Sequence, residues 1–411
     1  MPDKYGQGTE LAGDKPAAIV VGGGPAGLTA AITLSLGGLA TVLVGKRPAR
    51  LDNRTSFLVA GSVTALSTLG VWELCAAQAA PLKVMRIVDD TGRLWRAPEV
   101  KFAAQEIDLE AFGYNIENRH LVAALERRAS ALSNLRMIED DVLAVEPGDD
   151  TVTVVLKSGN RLRAPLVIGA DGRRSLCRDA AGIALDERNY QQVALTVSFK
   201  HSRPHRDAST EFHTTSGPFT LVPLPGSRSS LVWVLDPIQA EEIAALDDAA
   251  LSAEIERASH SILGKIEIEP GRGLFPLAVG TARRFGDQRI ALVGEAAHVI
   301  PPIGAQGLNL GLRDAATIGE LSLAAHRDGQ DIGGADVLSA YDKMRRADVG
   351  SRTMAIDLLN RTLLSDLLPV QGMRGLGLYA LDRIGPLRRA VMREGVAPAA
   401  AQPRLMRGEV L

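Results

Sequence analysis

Residues 17–45 read AAIVVGGGPAGLTAAITLSLGGLATVLVG and carry no charged side chain. A run of that length has to be tested against a membrane span. It is punctuated by Gly22-Gly23-Gly24-Pro25 and by Gly37-Gly38. Such clusters mark turns rather than helix interiors. The spacing predicts a strand over 17–21, a glycine turn, a helix over 25–36, a second turn and a strand over 40–44. Both strands are apolar throughout, as strands buried on both faces of a parallel sheet must be. The expected unit is βαβ, and the fold class that follows is α/β.

The turn has the spacing Gly22-x-Gly24-x-x-Gly27. In a strand-to-helix turn the first glycine makes the bend. The second lets backbone approach a pyrophosphate, and the third lets helix and strand pack closely. The helix start adds free N–H groups and the positive end of its dipole. An acid at the end of the second strand should then meet the adenosine ribose. Gly45 stands there instead, followed by Lys46 and Arg47. Two readings compete at this point. One is FAD with a weakened ribose contact. The other is an NADP-dependent dehydrogenase whose Lys46 and Arg47 take the 2′-phosphate.

A second stretch, residues 289–315, reads RIALVGEAAHVIPPIGAQGLNLGLRDA. A buried strand over 290–293 runs into Gly294-Glu295. A Pro-Pro turn follows, then the loop Gly304-Ala305-Gln306-Gly307, which opens a helix. This is a second anion site of the same physical kind. Two such loops far apart in one chain suggest one large cofactor held from both ends.

The bulk properties narrow the class. At 411 residues the chain is long for one core, so two joined domains are expected. A net charge of −2 argues against a nucleic-acid partner. Cys75 and Cys177 are the only cysteines, which fits a reducing compartment and excludes a thiolate metal cluster. His201 and His205 flank Pro204, which breaks any helix between them, and no metal site is expected. Residues 1–15 lack an apolar signal core and read as a loose tail.

The rest of the chain supplies further candidates. Arg54 is read at the start of a helical pattern, placed to meet a phosphate or simply solvated. Strands are expected over 83–89 and 93–100. Asn118 opens a helix over 118–132, as its N-cap or as a cofactor contact. Strands over 142–145, 151–156 and 166–168 lead to Asp171, directly past a buried strand. That is where α/β sheets place ligands, although an Asx-type turn explains it equally. Residues 181–283 read as an inserted antiparallel sheet, with strands over 192–200, 210–214, 219–224, 230–235 and 271–278 and a helix over 249–262. Phe219 and Leu221 share one face, and Leu231, Trp233 and Leu235 share another. Alternation alone leaves open which face is core and which walls a pocket. Residues 309–364 are mostly helical. The tail over 371–396 carries Arg374, Arg383, Arg388, Arg389 and Arg393. It is either a docking helix with a solvated basic face or an interfacial element meeting anionic lipid.

Three motifs stand in order: GGGPAG from Gly22, GADGRRS from Gly169, and GEAAHVIPPIGAQGLNLGLRDA from Gly294. Together they resemble the class A flavin monooxygenases, the p-hydroxybenzoate hydroxylase-like flavoproteins, over roughly residues 16–396. DNRTSFLVAGS, RSSLVWVLDP and LYALDRIGPLRRAVMREG are similar to stretches of the ubiquinone-biosynthesis hydroxylases within that family.

The resemblance implies a Rossmann-like FAD-binding domain (16–75, 98–180 and 284–345) with an inserted, mostly antiparallel substrate-binding sheet domain (76–97 and 181–283). C-terminal helices over 346–396 and loose tails over 1–15 and 397–411 complete it. It implies FAD as cofactor and NADPH as a transient reductant. The FAD contacts would be Gly22, Gly24, Gly27, Arg54, Asn118, Asp171, Glu295, Gly304, Gly307, Leu308 and Asn309. Glu295 stands where the family usually has Asp, and His298 reads as structural. The implied chemistry is transfer of oxygen from O₂, through a C4a-hydroperoxide, to the ring of a polyprenyl phenol. No side-chain nucleophile is needed, so no catalytic residue is assigned. The expected location is cytoplasmic and peripheral, with the C-terminal region meeting the membrane's inner face or a ubiquinone-synthesis complex. The departures at Gly45 and Glu295 also allow a weakly catalytic or non-catalytic assembly component.

Overall fold

The computed structural model describes residues 15–46, 54–92, 98–302, 306–364, 377, 379, 383–396 and 402–411. Its first layer is a six-stranded sheet. The strand order is Gly286–Asp287, Ile290–Leu292, Leu166–Gly169, Ala18–Val21, Thr41–Val44 and Leu135–Ile138. The last five run parallel. The helix Pro25–Leu36 connects two of them where the glycine spacing puts it. Ala18, Ile19, Val20 and Val44 are fully buried in these strands, as continuous apolar runs require.

The second layer is a large, mostly antiparallel sheet. From its edge the order is His298–Val299, Gly273–Ala282, Leu185–His201, Arg228–Leu235, Pro218–Leu224, Ala208–His213, Val84–Asp89 and Val100–Ala103. The expected domain boundary at residue 98 falls in the wrong place. Val100–Ala103 pairs with Val84–Asp89 and belongs to this sheet. The strand expected over 93–100 is thus displaced, and residues 93–97 lie outside the described part. The chain also returns late, since His298–Val299 pairs with Gly280 and Thr281 and joins the two layers.

Register decides the faces of this sheet. Phe219 pairs with Trp233, and Leu221 with Leu231. The two apolar sets read from alternation therefore form one face. Helices Pro237–Ala244 and Asp248–Ala258 cover it through Ala240, Leu251 and Ile255. Fully burying a side chain of this size contributes roughly 1.5–3 kcal/mol. The opposite face carries Thr196 paired with Val232, and Ser198 paired with Ser230. It looks towards the parallel sheet.

The helix after the 294 motif runs over Gly307–Arg327, followed by Ala335–Leu364. A shorter helix, Gly385–Val396, begins at the Gly385-Pro386 pair, with Pro386 in its first turn, where a missing N–H costs nothing. It buries Arg388, Met392 and Val396 beside Val100, Phe102, Ile107 and Phe112. The loose-tail reading of 397–411 fails for its second half. Leu405 and Met406 are buried in the main core, beside helix Ala60–Thr68 and helix Gly307–Arg327. Two large apolar side chains next to an open helix face outweigh the loss of chain entropy. No helix among the described residues is long and apolar enough to cross a membrane.

Candidate active site

Gly22 has φ of +123°, and a Cβ there would lie 2.1 Å from the Ala170 carbonyl oxygen. A Cβ on Gly27 would lie 2.0 Å from the Gly22 oxygen. These positions take only glycine, because backbone fills the space. Gly24 is different: a Cβ there would meet nothing within 4 Å. The turn is therefore packed tight on one side and open on the other. The helix that follows has Gly24 as N-cap, no side-chain cap and no acid in its first turn. Helix Gly307–Arg327 starts the same way after Gln306. Uncapped, acid-free helix starts leave backbone N–H groups for an anionic or oxygen-rich ligand.

The helices that follow the two glycine loops meet near their starts. A Cβ added to Gly311 would sit 3.2 Å from Gly294 Cα and 3.3 Å from Ala26 Cβ. The helix of the first turn, the 294 turn and the second glycine helix thus meet at three small residues. An extended cofactor lying from Gly24 to Gly307 fits this arrangement, and FAD has the required pyrophosphate and pyrimidine edge. Gly307, Leu308 and Asn309 occupy the first turn of the second helix. Gly304 lies outside the described residues.

Several expected contacts are placed differently. Arg54 does not start a helix but precedes the strand Thr55–Val59. Its guanidinium lies 5.5 Å from the Phe275 ring centre, at the mouth of a cavity. Asn118 is not the N-cap, which is Glu117. It accepts from the Ser56 hydroxyl at 2.7 Å, and its N–H donates to the Arg54 carbonyl at 2.8 Å. It therefore fixes the chain around Arg54. The Asn309 amide donates to the Phe57 carbonyl at 2.7 Å and accepts from the Val59 N–H at 3.0 Å. Asp171 accepts from the Ser175 hydroxyl at 2.6 Å and the Cys177 N–H at 3.1 Å. It holds the start of helix Leu176–Ala180, and burial pushes its carboxyl up despite those bonds. Lys46 pairs with Asp141 at 2.9 Å rather than standing free for a 2′-phosphate, and Arg47 lies outside the described residues. A Cβ on Gly45 would lie 2.5 Å from the Gly23 nitrogen, so the turn occupies the space the missing acid would use.

Sequence reasoning missed the charge network under this site. Asp314 is fully buried and accepts from the Gly294 N–H at 2.9 Å, His298 Nε2 at 2.7 Å and Arg345 Nε at 2.6 Å. Burial raises its carboxyl, but His298 and Arg345 more than offset this and hold it below its ordinary value. Asp348 takes Arg313 at 2.8 Å, Arg345 at 2.7 Å and Arg352 at 3.0 Å. Arg352 reaches Gln306, the residue before the second glycine helix, at 3.3 Å. The signal was present in the Arg313-Asp314 pair, two adjacent charges in the largely apolar first half of this helix.

A cavity of about 410 Å³ opens between the layers. Its sheet wall includes Thr196, Ser198, Ser230, Val232 and Phe275, and Arg54, Arg173, Glu295 and Pro301 close the other side. Thr55 and Ser230 hydroxyls lie 3.0 Å apart. The lining combines apolar side chains and hydroxyls with three charged groups, Arg54, Arg173 and Glu295. Glu295 sits here, at the junction of cavity and glycine loops. Among the described residues no group of three or more His, Cys, Asp or Glu could hold a metal.

Comparison with known proteins agrees with this geometry. A protein-family profile described as "FAD binding domain" matches residues 15–355. The chain is 36% identical to ubiquinone hydroxylase UbiL of Rhodospirillum rubrum, over 95% of this chain and 92% of that protein. It is 33% identical to the 3-demethoxyubiquinol 3-hydroxylase of Escherichia coli, over 91% and 96%. This chain belongs to the class A FAD-dependent monooxygenases. The fold of the family is seen again in p-nitrophenol 4-monooxygenase PnpA from Pseudomonas putida. That structure has a TM-score of 0.76 at 19% identity and covers 94% of this chain and 99% of its own. A point variant of Klebsiella pneumoniae HpxO, complexed with FAD, gives a TM-score of 0.74 at 20% identity, covering 94% and 99%. Family membership decides the ambiguity at Gly45 for FAD, against the NADP dehydrogenase.

Proposed function

We propose that this enzyme hydroxylates the aromatic ring of a polyprenyl phenol intermediate of ubiquinone biosynthesis, with NADPH as reductant and O₂ as oxygen source. Bound FAD supplies the redox chemistry and the activation of oxygen. The chain supplies position, exclusion of water and fixed dipoles. Gly22, Gly24 and Gly27 would cradle the pyrophosphate. Glu295 would bond a ribityl hydroxyl, and the N–H groups of Gly307, Leu308 and Asn309 would face the pyrimidine edge and offset negative charge there. Val232 and Phe275 hold a flat apolar ring, while Thr196, Ser198 and Ser230 offer hydrogen bonds to its oxygen substituents.

The carrying observation is the cavity between the hydroxyl-bearing sheet face and Glu295, where a ring would lie against the cofactor loops. The names of the two relatives support the substrate class. Helix Gly385–Val396 supports a peripheral membrane contact, since Leu387 and Val391 are exposed beside Arg389 and Arg393. The test is NADPH consumption by the FAD-loaded protein with and without a prenylated phenol. Stimulated consumption with formation of the hydroxylated ring is expected. Absence of both would leave the chain as a non-catalytic assembly component.

A further inference from the structure

The substrate sheet has a second cavity, of about 480 Å³, on its helix-covered face. Arg86, Lys101, Arg203 and Arg206 line it, with Glu99 as the only carboxylate. Arg86 and Lys101 are direct cross-strand partners. Like charges in that relation repel, and Glu99, paired with Arg86 at 2.9 Å and also attracting Lys101, is one carboxylate against four cations. Lys101, Arg203 and Arg206 have no ion-pair partner among the described residues. This concentration of positive charge stands out in a chain whose net charge is −2.

The cavity floor is built rather than accidental. Ser229 is 1% exposed and lies 3.0 Å from His201 Nε2. His201 Nδ1 is buried without a partner. The Asp207 N–H donates to His205 Nδ1 at 3.0 Å, while His205 Nε2 faces the Leu224 and Gly226 carbonyls at 3.1 and 3.0 Å. These bonds fix His205 as the neutral tautomer with its proton on Nε2. They also pin the turn that presents Arg203 and Arg206. Arg206 and Asp207 both adopt left-handed backbone, with φ of 54°, a conformation kept only where the surroundings impose it.

We propose that this cavity is a binding site for a phosphate-bearing anion, separate from the FAD and ring sites. Planar guanidinium forks and a lysine ammonium brought together from three chain segments match a phosphate's several oxygens. The volume accommodates a phosphate ester rather than a lone ion. The site lies at the sheet edge whose other face carries helix Gly385–Val396, so its ligand is either a soluble phosphate ester or an anionic lipid headgroup.

Two probes distinguish these sources: inorganic pyrophosphate in calorimetry, and sedimentation with phosphatidylglycerol or phosphatidylcholine vesicles. Both use the full-length FAD-loaded protein and a K101Q/R206Q variant. The variant should keep its FAD content and melting temperature, because the cavity is on the far face of the sheet. It should bind at least about tenfold more weakly, as expected on losing two charge-assisted contacts. Variant-sensitive pyrophosphate binding identifies a soluble ligand. Variant-sensitive binding to phosphatidylglycerol alone identifies a headgroup. No binding to either probe, or equal binding by the variant, overturns the proposal, whatever the hydroxylase assay gives.

Discussion

Asp314 grips the backbone N–H of Gly294 at 2.9 Å, from two turns inside the helix that opens at Gly307. One carboxylate thus ties the two glycine segments together, and His298 and Arg345 secure it from the other sides.

Asp314→Asn should be severely destabilising. It leaves His298 without its acid and Arg345 with Asp348 alone, and breaking a buried pair costs about 3–5 kcal/mol. Denaturant unfolding of the apo-protein would measure this. A loss under about 1 kcal/mol would mean that the network is slack.

Stability should fall on the acid side for the same reason. Asp314 and Asp348 are both held below the ordinary carboxylate value by their cationic partners, against burial. A depressed folded pKa gives stability that is present above about pH 4 and lost as pH falls below it. Asp171 has the opposite sign, since burial raises it. Its contribution therefore falls as pH rises above about 4. An Asp348→Asn variant should show a flatter acid limb in melting temperature against pH.

Gly307→Asp should abolish flavin binding and NADPH oxidation while the apo-protein stays folded. A Cβ there has room, the nearest atom being the Ile300 carbonyl oxygen at 4.0 Å. An acid in a helix's first turn is also locally favourable. Its charge would occupy the place offered to the cofactor. Flavin absorbance per mole of protein is the readout, and unchanged loading would remove this loop from the site.

FAD should be held more weakly than is usual for such enzymes. Gly45 offers the ribose no carboxylate, and a lost charge-assisted bond removes about 1.5–3 kcal/mol. Dialysis should strip the cofactor. A stoichiometric preparation that stays yellow through dialysis would contradict this.

The first βαβ unit was legible because its period and its glycines agree: both strands are apolar throughout, and backbone contacts at Gly22 and Gly27 exclude any side chain. The strand before Gly294 and the helix from Gly307 were legible from their apolar periods, while Gly304 lies outside the described residues. Asn118 was misplaced by one position because capping depends on which residue leaves the strand, and a side-chain pattern does not carry that. The faces of the substrate sheet depend on the pairing of Phe219 with Trp233, a long-range fact invisible to alternation. The Asp314 network joins three segments whose charges look solvated when each is read alone. Arg345 and Asp348 form an ordinary i,i+3 pair on a helix until Asp314 is brought beside them.

Leu405→Ala and Met406→Ala should each cost about 2–5 kcal/mol, as large-to-small changes in a closed core do. Thermal unfolding would show it. Melting unchanged by either substitution would return this segment to the status of a dispensable tail.

That segment covers helix Ala60–Thr68 from several hundred positions downstream. That helix stays partly uncovered until Leu405 and Met406 have been made and have emerged to pack on it. The core of the parallel-sheet layer is therefore closed only after the whole inserted sheet has been translated.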